Sequence, residues 1–396
     1  MISAGCAAAS RASVRVALAA LFACLPLPGA AQVVAVALDP KAELVDGELR
    51  VKTGAPPGAL AVLRFDGAQA ERIGTVALPT GFQGPPASVA ITPDGRFALV
   101  TASLRIDPAD GAELKPESLL SVVGLSASPM KVVQTLRLDA TPAMIALHPD
   151  GRTALVPQPA DDSLGVLSFA DGRAKVVGKL RMDKDSKPQA VAFAPDGRHA
   201  LVSFSGADKL ALYTVRDGSL VQPAVREMVA GVYPTPLAWC GASGLAVVGN
   251  YGRVSGDVDT VSLIDASGPQ ARVVDTVSVG PSPEGIACSA DGRHVAVAAQ
   301  NMSTVSAATP FHAGHSLLVL LRIDGKRLRR VDERPFGAWA QGVGFLGDSR
   351  TLFAQSMGER ALHLFRIEGD TLRVAGPPIV FEEGGPAGYG VGPPAH

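Results

Sequence analysis

The sequence has little that assigns a chemistry by motif. It holds no Cys-x-x-Cys-His haem site, no Gly-x-Ser-x-Gly elbow, no phosphate-binding loop and no His-Glu-x-x-His zinc motif. The chain is therefore not itself a c-type cytochrome, and no short signature marks it as a hydrolase or a nucleotide-binding protein. Basic charge is scarce too. Lys and Arg number 36 against 37 Asp and Glu, and residues 32–396 carry a net −3 because Arg11 and Arg15 lie upstream. Nucleic acid and anionic membrane surfaces both favour basic patches, so neither is expected as a partner. After the first 31 residues no segment has the roughly 20 apolar residues that cross a bilayer. Helical periodicity is nearly absent. Aromatic residues make up 5% of the chain, while Gly numbers 43, Pro 31 and hydrophobic residues reach 47%. That composition belongs to a packed, turn-rich protein, not a disordered one.

The N-terminus reads as a secretory signal over Met1 to Ala31. Arg11 and Arg15 make a positive start, Val16 to Leu25 an apolar run, and Gly29-Ala30-Ala31 a small-residue cleavage site before Gln32. Two alternatives stay open: an uncleaved anchor, and a lipoprotein, since Leu21-Phe22-Ala23-Cys24 loosely matches a lipobox. Soluble export to the periplasm or outside the cell is the expectation.

What is present is a repeat. Pro188 to Val202, PQAVAFAPDGRHALV, is two apolar runs around Pro195-Asp196-Gly197-Arg198. Proline presets φ, aspartate bonds its own backbone and glycine takes the positive φ that closes a hairpin. Equivalent turns carry Asp94, Asp150 and Asp291, with worn copies at Ser243-Gly244 and Asp348-Ser349-Arg350, spaced 46–57 residues apart. A second hairpin signal alternates with the first, as in LALYTVRDG ending at Gly218 and LLVLLRIDG ending at Gly325. Each repeat thus predicts four antiparallel strands, A to D, and a four-stranded repeat near this length indicates an all-β propeller. Seven blades are expected, beginning near Val33, Ala87, Ala143, Gln189, Leu237, Gly285 and Gly342 in one domain over residues 32–383. Residues 384–396, rich in Gly and Pro, are expected to form a flexible tail. Ring closure has two solutions: Leu372 to Phe381 completes blade seven alone, or Val33 to Ala37 pairs with it.

Cys240 and Cys288 occupy the same repeat position, filled elsewhere by Ile91, Leu147, Phe193 and Phe345. A core position points to two buried free thiols. Export would permit a disulfide, but equivalent positions of successive blades should point the same way round a ring and lie too far apart to bridge.

The pattern P-x-x-[IV]-A-[VF]-x-P-D-G-[RK] in these repeats resembles the YVTN-type propeller repeat and the wider seven-bladed lactonase-like superfamily. The resemblance covers nearly all of residues 32–396. It implies the fold, and it leaves function open because the shared residues build hairpins.

Function is sought in the variable B–C and D–A connections and in the residues that open each strand A near the channel. Those residues are Ala87, Ala143, Gln189, Pro236, Glu284 and Gln341. Glu284 is the candidate catalytic or ligand-binding carboxylate. Around it the sequence offers Asn250, Tyr251, Arg253, Gln300, Asn301, His312, His315 and Gln341 as ligand-binding candidates. His312 and His315 with Glu284 are suitable zinc-ligand types, but their spacing is loose, and no metal and no cofactor are expected. The first expectation is a non-catalytic exported propeller that binds a partner protein or a small ligand on its loop-rich face. The alternative, implied by the resemblance, is a sugar-lactone hydrolase working at the channel mouth.

Overall fold

The computed structural model describes residues 1, 2 and 31–394. The expected signal segment lies almost wholly outside the described residues. Among those described, no helix is long and apolar enough to cross a membrane, and the only helix is a single 3-10 turn at Pro159–Asp161.

Seven four-stranded antiparallel blades stand around one axis. Blade four shows the pattern, with strand A at Pro188–Phe193, B at His199–Phe204, C at Lys209–Arg216 and D at Ser219–Val229. The A strands of successive blades contact one another round the ring. The B strands pack on both faces, so they read as continuous apolar runs: Leu245–Asn250, His294–Ala299 and Thr351–Ser356 are buried at every residue. One apolar cluster fills each gap between blades. Leu201 and Leu210 of blade four, for example, pack with Ala246 and Val248 of blade five. A blade cannot bury both faces alone, so the ring is the cooperative unit.

The turn chemistry matches the sequence expectation. Gly95, Gly151, Gly197 and Gly292 have φ between 68° and 72°, and Asp196 Oδ1 accepts from the Arg198 amide at 2.9 Å. At Gly197 space is also restricted, since a Cβ there would come within 2.6 Å of His148 Nε2.

Two expectations are corrected. The Gly/Pro-rich C-terminus is no tail: Gly385–Pro394 is a strand that pairs along Gln32–Asp39 and supplies strand A of blade one. Val33 to Ala37 therefore pairs with this segment, while Leu372 stays in blade seven. The physical reason is visible in the residues. Without it, Val34, Val36 and Leu38, all fully buried, would line an open sheet edge. The glycines suit it to the crowded axis, where Gly388 and Gly390 leave no room for a Cβ against Ser88 and Val89.

The second correction concerns Cys240 and Cys288, which are joined in a disulfide with Cα atoms 5.0 Å apart. Inner strands converge towards the axis, so equivalent positions of neighbouring blades come within bridging distance. The backbones close in here too: a Cβ on Gly292 would lie 3.0 Å from the Cys240 carbonyl.

One element was not foreseen. A two-stranded hairpin, Ala42–Val45 with Glu48–Val51, inserts between strands B and C of blade one. Its base is fixed by the buried Lys41, which donates to Asp39 Oδ2 at 2.6 Å and to the Pro57 and Thr80 carbonyls. At its tip Asp46 accepts from Ser306 Oγ at 3.0 Å and the Ala307 amide at 2.8 Å, in the blade-six loop.

Candidate functional site

In blades four to seven the second residue of strand A lines the channel, and the strand period of two keeps it on one face. These residues are Gln189, Thr235, Glu284 and Gln341, and Ala143 joins them from just before the short blade-three strand Ala146–Leu147. They line one cavity of about 420 Å³ at the loop-rich mouth. The blade-five member is Thr235 and not Pro236, because the strand begins at Pro234 as its neighbours begin at Pro188 and Pro283.

Two residues just past the ends of B strands complete the polar wall. Tyr251 follows Asn250, and its amide is held by the Tyr233 carbonyl at 3.0 Å; Gln300 follows Ala299, and its amide is held by Ser282 at 2.9 Å. The Tyr251 hydroxyl donates to Gln300 Oε1 at 3.1 Å, and Gln300 Nε2 donates to Glu284 Oε2 at 3.1 Å. Gln189 Nε2 donates to the Tyr233 hydroxyl at 3.2 Å.

Aromatic rings form the rest of the rim. Tyr233 and Trp339 stand immediately before strands A of blades five and seven, both with left-handed backbone, φ 53° and 54°. Such a conformation is rare for bulky residues and is held in place by its surroundings. Tyr233 is fixed by its amide donating to Asp208 Oδ1 at 2.7 Å. The ring of Tyr233 lies 5.9 Å from that of Tyr251. Trp339 meets Phe82 edge-on at 5.6 Å and shares an apolar cluster with Leu44 of the inserted hairpin.

Electrostatically the site centres on one buried carboxyl. Glu284 is 8% exposed. Burial disfavours its charged form and pushes its pKa from 4.5 to about 8, with the Tyr251 hydroxyl pulling the other way. Burial and the nearby Glu284 raise the Tyr251 phenol above its ordinary value. Burial also raises Asp259, whose carboxylate accepts from the Ser282 amide at 2.8 Å. Gln189 Oε1, Thr235 Oγ1 and Gln341 Oε1 are buried without a hydrogen-bond partner.

Of the residues singled out from sequence, Glu284, Tyr251, Gln300 and Gln341 meet in the cavity. The others sit apart from it. Asn250 is a strand tie, donating to Thr260 Oγ1 and Ser262 Oγ. Arg253 lies on the rim, 3.5 Å from Asp208 and over the Tyr233 ring. Asn301 donates to the His315 carbonyl. His312 Nδ1 is 3.0 Å from the Val305 carbonyl within its own loop, and His315 is exposed. Neither histidine joins Glu284 in lining the cavity. Tyr233, Thr235, Trp339 and Phe82 were missed. The available signal was the placement of two scarce aromatics, Tyr233 and Trp339, directly before strand A.

No protein-family model matches the sequence, and no curated protein matches it. Solved structures do. A Bacteroides uniformis protein provisionally named a 6-phosphogluconolactonase superposes with a TM-score of 0.69 at 14% identity, over 91% of this chain and 99% of its own. The periplasmic gluconolactonase of Pseudomonas aeruginosa matches with a TM-score of 0.64 at 20% identity, over 92% and 99%. A functionally unknown protein from Desulfotomaculum acetoxidans gives 0.67 at 16% identity, over 91% and 99%. At these identities the likeness is one of fold: this chain shares the seven-bladed architecture of lactonase-like propellers.

Proposed function

We propose that this exported propeller binds a small molecule in the channel-mouth cavity, and that the ligand is one that brings hydrogen-bond donors. The observation that carries this reading is the convergence of Gln189, Thr235, Glu284 and Gln341 from four successive blades on one aromatic-rimmed space. Three of them hold a buried oxygen without a partner, and an unmade hydrogen bond at a buried acceptor costs about 1–3 kcal/mol. A ligand's donors would recover that cost. Concave sites with a few convergent polar groups and one perturbed titrating residue are where small molecules bind. Export is supported by the signal-like N-terminus and suits a disulfide. Titration calorimetry with a panel of sugars, polyols and amines tests the reading, with saturable binding that is lost in Gln341→Leu or Thr235→Val. A panel that is silent throughout counts against it.

A second reading, hydrolysis of a sugar lactone, is favoured by Glu284. A carboxyl poised near neutral pH is suited to take a proton from water, and Gln300 orients it. Lactonase names among the fold neighbours agree with this reading. In a pH-stat assay with glucono-lactone, the reading predicts a rate rising through about pH 8 and falling by about 10²-fold or more in Glu284→Gln. Equal rates for parent and variant would reject it.

A further inference from the structure

Glu284 is a buried acid with no counter-charge. Its described neighbours in the cavity are neutral: the wall is made of Gln, Thr, Tyr, Trp, Phe, Pro, Ala and Gly, and no Lys, Arg or His lines it. The groups that act on it are neutral too: the Gln300 amide donates to it at 3.1 Å, and the Tyr251 hydroxyl is the other polar neighbour. The nearest basic residue named in the site, Arg253, stays on the rim with its guanidinium engaged by Asp208 at 3.5 Å. A second acid, Asp259, stands behind Tyr251 and adds to the negative field there. Buried charges in folded proteins are almost always paired, because an unpaired one is costly. Electron-rich rings surround the space: Tyr233, Tyr251, Trp339 and Phe82 all face the cavity. Aromatic faces attract cations, more so when desolvated.

We propose that the ligand of this cavity is a cationic amine, a primary or secondary ammonium that pairs with the Glu284 carboxylate and packs among Tyr233, Tyr251 and Trp339. This names the ligand class for the binding function above and rests on it. The ammonium donates to Glu284 and to the unpartnered oxygens of Gln341 and Thr235, which are 2% and 5% exposed. Phosphates and carboxylates are disfavoured, since they would enter a buried site whose lining holds no Lys, Arg or His to pair with them. Binding also moves a proton. At neutral pH the buried Glu284 holds its proton, and the ammonium displaces it to solvent as the ion pair forms.

The test uses the full mature chain and matched probes that differ only in charge: benzylamine, benzyl alcohol and benzoate, with glucosamine, glucose and glucose 6-phosphate as a second set. Titration calorimetry at pH 7 is expected to show each amine binding at least about tenfold more tightly than its neutral partner and no binding of the anions. The amine's enthalpy should vary with buffer ionisation, reporting release of most of one proton. Glu284→Gln, which keeps the side-chain shape, should abolish both the preference and the proton release. Equal binding of glucose and glucosamine, or a preference that survives Glu284→Gln, overturns the amine proposal and leaves the binding function standing. Binding of an anion overturns it as well. Silence of every probe overturns the amine proposal and counts against the binding function with it.

Discussion

Gln300 Nε2 donates to Glu284 Oε2 at 3.1 Å, and this is a link between an amide at the end of one strand and a carboxyl at the start of its neighbour in blade six. The same amide accepts from Tyr251 in blade five. One glutamine thereby sets the orientation of the only carboxyl in the cavity. Nothing cationic stands beside it, so the carboxyl holds its proton well into the neutral range.

That proton makes stability depend on pH. Between about pH 4.5 and 8 the folded protein keeps a proton on Glu284 that the unfolded chain has released. Folding stability must therefore fall as pH rises through that window, by roughly 3–5 kcal/mol in total. Glu284→Gln has no proton to lose. Its melting temperature should match that of the parent near pH 4 and exceed it clearly at pH 9. Melting curves at both pH values check this; parallel curves across the range would show that Glu284 is not held protonated.

The disulfide closes a 48-residue loop between the inner strands of blades five and six. Those strands carry Thr235 and Glu284 at their other ends. A Cys240→Ala/Cys288→Ala variant should lose about 2–4 kcal/mol in denaturant melts. Peptide mapping of unreduced protein should find the two cysteines in one linked pair. Alkylated free thiols at both positions would contradict the pairing.

The C-terminal strand closes the ring. A chain ending at Glu383 lacks all of Gly385–Pro394 and leaves Val34, Val36 and Leu38 on an open edge. Such an edge invites pairing with other chains. The truncated protein should melt far lower than the parent and aggregate. An unchanged melting temperature would mean that the strand is dispensable.

Gly197 should not accept a side chain. At φ 70° with His148 close by, Gly197→Ala is expected to cost about 1 kcal/mol or more. An unchanged denaturation midpoint would count against the turn.

Much of the fold was legible because hairpins write local rules. Asp196-Gly197 fixes a turn without help from elsewhere, so the period and the blade number could be read. Ring closure was hidden because Pro386-Ala387-Gly388-Tyr389-Gly390-Val391 looks like linker by composition. It is in fact the repeat's own P-x-x-[apolar] opening, displaced to the far end of the chain. The disulfide was misjudged because repeat equivalence says nothing about how closely inner strands approach. The site was half legible. Glu284 and Gln341 stood out where the repeat tolerates alanine. Arg253, His312 and His315 stand out for their chemistry and for lying in the B–C loops of blades five and six, but the loop paths take them outside the cavity lining. Trp339 was missed because its direction depends on a left-handed backbone that its side chain does not announce.

The central claim is that ligand enters the cavity bounded by Glu284 and Trp339. The chain has two tryptophans, Trp239 and Trp339, and only Trp339 lines the cavity. Trp239→Phe leaves it as the sole indole reporter at the mouth. Titrating that variant with the tightest probe from calorimetry should change its emission saturably, with the midpoint matching the calorimetric affinity, and the change should vanish on adding Glu284→Gln. Calorimetric binding with no change in Trp339 emission would place the ligand elsewhere on the protein.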